Sequence, residues 1–226
     1  MRRVMTPVFV IAVAGLLAGS ASTAAAQTAA APAPPSMTTG KLYIGVAGGL
    51  GSAHEVGGLA GGEVGWHLSP SLDVFGEAAW VQNAINGNRI GTANDLATYL
   101  QQTQGGSVTA SVEAPTWTMT GGVRKYFKSG GMRPYVAGLA GVARMTLKPT
   151  FTIGGTDVTE RMGDYGVALG EDLAGSTTKP AFGGGAGVAT TRGRWIIDFG
   201  VRVISVQTDF RPTNILGVKI GINYGF

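Results

Sequence analysis

From residue 41 onward, apolar and polar positions alternate with a period of two, in stretches bounded by Gly, Pro, Ser and Asn. That spacing belongs to strands with one apolar and one polar face. The last stretch is the cleanest: Leu216, Val218, Ile220, Ile222, Tyr224 and Phe226 share a face, against Gly217, Lys219, Gly221, Asn223 and Gly225. Trp195, Ile197, Phe199, Val201 and Val203 oppose Asp198, Gly200 and Arg202. Upstream, Val64, Trp66 and Leu68 oppose Glu63, Gly65 and His67, and Leu72, Val74, Ala78 and Trp80 oppose Asp73 and Glu77. Leu42, Ile44, Val46 and Leu50 oppose Gly45, Ala47 and Gly49. In 133–148, Tyr135, Ala137, Leu139, Ala143, Met145 and Leu147 form the apolar face, opposite Gly138, Ala140, Arg144 and Lys148. Tyr43, Phe75 and Val136 fall on the nominally polar faces. In 107–127 the apolar parity slips, from Val108, Ala110, Val112 and Ala114 to Trp117, Met119 and Val123. A bulge near Pro115 would produce that slip, because Pro has no N–H for the ladder.

The pattern predicts eight strands, at 41–50, 57–68, 71–84, 107–127, 133–149, 179–191, 194–210 and 214–226. Tight turns at 69–70, 128–132 and 192–193 alternate with longer connections at 51–56, 85–106 and 150–178, and a short one at 211–213. Short turns at one end and mostly longer loops at the other predict an all-β, eight-stranded, antiparallel up-and-down transmembrane barrel. Ten strands are the alternative, if 151–158 (FTIGGTDV) and its neighbours add a hairpin within the bilayer.

The first forty residues do not alternate. Arg2 and Arg3 precede an apolar run from Val4 to Leu17, and small residues end in Ala24, Ala25 and Ala26. This is the order of a secretory signal peptide, predicted to span 1–26. A membrane anchor is the alternative, but the run falls short of the ~20 apolar residues a spanning helix needs. Residues 27–40 (QTAAAPAPPSMTTG) read as an Ala/Pro-rich spacer, and 41–226 as the barrel.

Composition narrows the class further. Of 226 residues 38 are Gly, with no three-residue glycine period, so collagen is excluded. An apolar share of 44% excludes a disordered chain. The absence of Cys excludes a disulfide scaffold, a thiolate metal site and a Cys nucleophile. Cleavage after Ala26 would remove two of 17 basic residues and no acid, leaving 15 against 13, a net +2. So mild a charge gives no reason to expect nucleic acid as a partner.

Alternation alone does not say which face points inward. A soluble barrel turns its apolar face in, and a membrane barrel turns it toward lipid. Glycine-rich polar faces suit a crowded interior. Trp66, Phe127, Tyr135, Trp195, Tyr224 and Phe226 sit near strand ends on the short-turn side, where an interfacial aromatic girdle belongs. The final eight residues, KIGINYGF, place Lys219, Gly221, Tyr224 and Phe226 at the defined positions of a C-terminal β-signal. With the signal peptide and eight alternating segments, the chain resembles the small OmpA/OmpX/OmpW-type outer-membrane β-barrel family over 41–226. It departs from OmpA itself in lacking a peptidoglycan-binding domain. The resemblance implies an outer-membrane location, contact with outer-membrane lipid and lipopolysaccharide, and recognition of the C-terminal strand by the barrel-assembly machinery.

On that orientation the expected lumen network is Glu63, Asp73, Glu77, Glu113, Arg124, Arg144, Lys148, Asp198 and Arg202, with His67 and Lys219 on the same faces. An eight-stranded barrel is about as wide as its own side chains, and buried charges must be paired. A polar plug and a structural or surface-interaction role follow. The alternative is a narrow channel in which Glu77, Arg124, Arg144 and Arg202 exchange partners. A lipid A-modifying enzyme is the third reading. It would need a Ser/His-type pair, and His67 with Ser69 and His54 with Ser52 and Glu55 are only near in sequence. No catalytic residue, cofactor or metal site is therefore expected. Gly183–Gly185 and Gly48–Gly49 lack the Lys-Ser/Thr of a phosphate loop, and the acidic loop 150–178 (Asp157, Glu160, Asp164, Glu171, Asp172) lacks EF-hand spacing. Residues 94–100 predict a short helix capped by Asn94, with Leu96, Tyr99 and Leu100 on one face. The loops are the expected contact surface for an external partner that the sequence does not identify.

Overall fold

A computed structural model describes residues 41–127, 131–170, 173–208 and 211–226; the expected signal peptide and spacer lie outside the described residues, as do Glu171 and Asp172. In chain order the elements are β1 (Leu42–Ser52), β2 (Val56–Ser69), β3 (Leu72–Val81), α1 (Gly87–Gln104), β4 (Val108–Glu113), β5 (Thr116–Tyr126), β6 (Met132–Ile153), β7 (Thr156–Asp157), a short 3-10 helix (Thr159–Tyr165), β8 (Gly175–Arg192), β9 (Trp195–Val206) and β10 (Thr213–Gly225).

Eight of these strands close into a ring. Antiparallel pairing runs from β1 through β2, β3, β5, β6, β8, β9 and β10 and returns to β1, where Tyr43 pairs with Gly225 and Ser52 with Leu216. Closure leaves no open edge, so every ladder donor and acceptor in the wall is satisfied without water. Among the described residues there are ten strands, but β4 and β7 are not in the ring. Both pair with the part of β6 that runs past the wall, Val108 opposite Ile153 and Thr156 opposite Ile153 from the other side. The hairpin anticipated at 151–158 therefore forms, turned by Gly154 and Gly155 at positive φ, and lies above the barrel.

The wall is apolar outside. Ile44, Val64, Val74, Ile197, Phe199, Ile220 and Ile222 are exposed, while Glu63, Asp73, Glu77, Asp198 and Lys219, on the alternate positions, are buried inside. Trp66, Phe127, Trp195 and Phe226 form an exposed aromatic level at the short-turn end, and Trp117 and Phe182 a second level toward the other. On β5 and its continuation, Trp117 and Phe127 are ten residues apart. At ~3.3 Å per residue and a tilt of ~40° this is about 25 Å, the height of a bilayer's apolar band.

Two expectations are corrected here. No bulge forms at Pro115: Glu113 pairs with Lys148 and Thr116 with Met145, so the register against β6 is unbroken. Val112, Ala114, Thr116, Thr118, Thr120, Arg124 and Tyr126 all face inward. What changes along the strand is the interior itself, apolar near the long loops and polar near the turns. The same change inverts β6. Tyr135, Ala143, Met145 and Leu147 are inside, whereas Val136, Val142, Arg144 and Lys148 are outside.

Candidate functional site

Among the described residues the barrel interior holds a buried, linked set of acids and bases, and it has two storeys. The lower storey, toward the short turns, is a linked network. Glu63 is its centre: Tyr43 Oη donates to its Oε1 at 2.9 Å, and Arg124 Nη2 and Lys219 Nζ donate to its Oε2 at 2.9 and 3.2 Å. Lys219 Nζ also reaches Glu77 Oε2 at 2.6 Å, and Glu77 Oε1 is paired with Arg202. Arg124 Nη2 lies 4.0 Å from Asp198, whose Oδ1 accepts from Tyr135 Oη at 2.7 Å. Nearer the turns, Asp73 is shared by His67 Nδ1 at 2.6 Å and Tyr126 Oη at 2.9 Å.

Packing holds these groups in place. The Arg124 guanidinium lies between the Phe75 and Tyr135 rings, 4.8 Å from each centroid, and Arg133 lies 3.9 Å over the Tyr126 ring while bonding the Pro70 carbonyl. Glycine makes room for the tyrosines. A Cβ on Gly65 would run into the Tyr43 ring, and one on Gly187 or Gly200 would lie 2.5 Å from the Tyr135 hydroxyl. The free space left among Phe75, Glu77, Arg124, Tyr135, Arg202 and Lys219 is about 20 Å³, room for roughly one water.

The upper storey is apolar. Leu59, Val81, Ala143, Met145, Ala181, Ile204 and Ile215 fill the barrel above the charges, and Ile85, Leu100, Phe151, Val158 and Met162 continue the same cluster into the loops. Helix α1 lies on this cluster through Ala93 and Leu100, with Ile90 and Leu96 packed against it. Asn86 caps it, its side chain accepting from Arg89 N and donating to Thr213 Oγ1 at 2.9 Å. Asn83 ties the loops together: Oδ1 accepts from Ile85 N and Ala114 N, and Nδ2 donates to Glu55 at 3.0 Å. In the hairpin loop, Thr159 donates from both its hydroxyl and its backbone N–H to Asp157, which holds that carboxyl below the ordinary Asp range.

Of the nine residues expected in the lumen network, Glu63, Asp73, Glu77, Arg124, Asp198 and Arg202 are buried in the ring and linked as described. Glu113, Arg144 and Lys148 are not among them. All three are exposed on the outer face, because inward positions at their height belong to Val112, Ala143, Met145 and Leu147. The assembly-signal residues divide by parity: Lys219 and Gly221 inside, Phe226 exposed, Tyr224 half-buried on the outer side. Tyr135, expected in the girdle, is inside. Tyr43, Tyr126 and Arg133 are lumen groups that residue class alone does not find, although the place of Tyr43 and Phe75 on polar faces was their signal. The helix expected at 94–100 is longer and starts at Asn86, which leaves Asn94 and Tyr99 exposed. His67 faces the interior with Asp73, Ser69 Oγ accepts from Ser71 N at 3.3 Å, and His54 lies beside Gly87 at the helix start.

No protein-family model matches the chain, and no curated protein matches it. Solved structures do. The crystal structure of Neisserial surface protein A has 12% sequence identity to it, with a TM-score of 0.50 over 82% of this chain and 96% of that one. The N-terminal β-barrel domain of Pseudomonas aeruginosa OprF follows at 13% identity and TM-score 0.47, over 83% and 98%. Ail, the attachment invasion locus protein of Yersinia pestis, is at 14% and 0.46, over 84% and 100%. The first of these likenesses carries the fold, a small transmembrane barrel.

Proposed function

We propose that the protein is an integral outer-membrane barrel with a plugged lumen, acting as a structural or surface-interaction element through its folded cap. The observation that carries this reading is the double seal. A charge network with one water's worth of free space lies below an apolar core, and α1 with the hairpin loop closes the top. An ion crossing the barrel would have to break buried pairs and then pass a dry apolar layer, and both steps are strongly unfavourable. The short turns and both ends of the barrel segment face the periplasm, and the cap faces outward. The C-terminal strand, with Lys219, Gly221, Tyr224 and Phe226, fits recognition by the barrel-assembly machinery, and the exposed belt fits outer-membrane lipid and lipopolysaccharide.

The test is conductance of the purified protein in planar bilayers, after a heat-dependent gel shift has shown it folded. A silent barrel is the expected result. Discrete steps that change on Glu77→Gln or Arg202→Gln would replace this reading with a narrow channel.

A further inference from the structure

Above the barrel wall, β4 is paired along one edge. At the two ends of its ladder with β6, Gly154 N donates to Ser107 O at 2.9 Å and Thr146 N to Pro115 O at 3.0 Å. Bonded pairs in an antiparallel ladder recur at every second residue. Thr109, Ser111 and Glu113, in register between those rungs, therefore turn their backbone groups to β6, and Val108, Ala110, Val112 and Ala114 turn theirs the other way. Ala114 is met there: its N–H donates to Asn83 Oδ1 at 3.0 Å and its carbonyl accepts from Ala84 N at 2.9 Å. Past that rung the chain leaves for α1. Among the described residues nothing bonds the backbone of Val108, Ala110 or Val112 on this side. The wall neighbour below, β3, has already ended at Val81 opposite Thr116. Helix α1 covers a different side of β4. Its cap Asn86 reaches Thr213, and Arg89 Nη1 reaches Met145 Sδ at 2.9 Å, so the helix starts over the barrel mouth. It packs on the face where Val108, Ala110 and Val112 join the apolar cluster. Edge strands are commonly guarded by Lys, Pro or a bulge, and β4 (VTASVE), in unbroken register, has none of these.

We infer that the free edge of β4 docks an extended polypeptide segment of another protein, added to the cap sheet as a further strand. The inference rests on the surface-interaction role proposed above and names its partner class. Hydrogen bonding selects the occupant: donor–acceptor pairs repeating every ~6.7 Å along an edge match another extended backbone. Side chains set the character of that segment. It would place apolar residues alongside Val108, Ala110 and Val112, polar ones alongside Thr109 and Ser111, and a basic one near Glu113. A second copy in the same membrane does not fit. Antiparallel pairing of two β4 strands needs a twofold axis across them, which would turn one copy over.

Amide hydrogen exchange on the purified, heat-modifiable protein in mild detergent tests this, with a synthetic peptide SVTASVEA as the probe. The peptide copies 107–114 and, free of the membrane, can approach β4 in the antiparallel sense. In the protein alone, exchange at Val108 and Ala110 should be fast, and at Thr109 and Ser111 slow. Saturating peptide should slow the first pair about tenfold or more and leave the second pair unchanged. Ala110→Pro removes an N–H from the free edge and none from the β6 ladder, a position where an edge strand accepts proline. It should weaken peptide binding, read by fluorescence anisotropy, about tenfold, the scale of one hydrogen bond. The peptide SVTPSVEA makes the same change on the other partner, and should bind the unaltered protein about tenfold more weakly. Exchange at Val108 and Ala110 that is slow without peptide, or unmoved by it, would overturn the inference, as would equal binding of the two peptides. A peptide-free dimer abolished by Ala110→Pro would overturn it in favour of self-association. Peptide binding to the purified protein but not to intact cells would instead refute the outward placement of the cap, with the docking edge upheld.

Discussion

Trp117 on β5 and Arg144 on β6 are cross-strand partners, and both side chains point out of the barrel. On Trp117's other side the ladder partner is Trp80, so the row places one arginine beside two tryptophans on the wall. A charge on the lipid face is tolerated only near an interface. Arg144 therefore marks the outer edge of the apolar band, and it has no part in the lumen. Arg144→Ala should change unfolding free energy by no more than about 1 kcal/mol. Arg124→Ala should cost about 3–5 kcal/mol, because it leaves Glu63 with only Lys219 and Tyr43 and removes the cation nearest Asp198. Urea titrations of the two variants in the same lipid vesicles decide this, and equal losses would contradict the assignment of faces.

Most of the ring was legible from residue alternation, since the outward positions of β1, β2, β3, β9 and β10 are mainly hydrophobic and their charged residues lie inside, although Leu59, Val81, Ile204 and Ile215 are apolar and inside as well. β6 was not. It runs through a polar storey, an apolar storey and the cap, and its inward face changes from Arg133 and Tyr135 to Met145 and Leu147. An apolar residue on such a strand is no guide to the lipid side. Alternation therefore assigns Arg144 and Lys148 to the lumen although both are exposed outside, and the change of interior on β4 and β5 imitates a bulge. The cap was less legible still. Gly87, Gly91 and Thr92 are poor helix formers, and α1 exists because Ala93 and Leu100, with Ile90 and Leu96, cover the upper core.

Tyr43 occupies the space that a side chain at Gly65 would need. Gly65→Ala should therefore destabilise the barrel by about 1–3 kcal/mol through overpacking. Shortening the ring partner should restore part of the loss, so Tyr43→Ser with Gly65→Ala should be more stable than the two single losses added together. Folded fraction by gel shift across a urea series provides the measurement. Strict additivity would mean that the contact does not govern the position.

The hairpin loop should respond to acid. The depressed Asp157 carboxyl favours the ordered loop above the ordinary Asp range, and that contribution fades as pH falls through the lowered value. Thr159→Val removes the hydroxyl donor to Asp157 and also the acceptor for Phe151 N, 2.8 Å away. Amide exchange at 151–159 should rise at low pH in the native chain and be high at neutral pH in the variant. Exchange that is independent of both pH and Thr159 would exclude the carboxylate as the clasp.

Asn83 should control the cap without controlling the ring. Its carbonyl serves two backbone N–H groups, and its amide reaches Glu55 across the first loop. In Asn83→Ala those two donors lose their partner, a cost of about 1–3 kcal/mol if they stay buried. Cleavage within 85–106 by added protease should then become fast, while heat-modifiable migration of the barrel persists. Loss of the ring itself would show that cap and wall fold as one unit.

Glu77 and Lys219 belong to one circuit, so their substitutions should not add. Lys219 Nζ is 2.6 Å from Glu77 and 3.2 Å from Glu63, while Arg202 and Arg124 hold the same two acids from the other strands. Glu77→Gln leaves Arg202 without its ion-pair partner, and Lys219→Met leaves the two acids with one arginine each. The single changes unbalance the interior in opposite directions. The double variant restores equal numbers of acids and bases in the Glu63, Arg124, Asp198 and Arg202 remainder. It should be more stable than the sum of the singles by about 0.5–3 kcal/mol, the range for residues sharing a charged network. Unfolding of all four proteins in one vesicle composition gives that coupling directly. A value near zero would mean that water, entering from the periplasmic end, already screens the pair, and the plugged reading of the lower storey would fall with it.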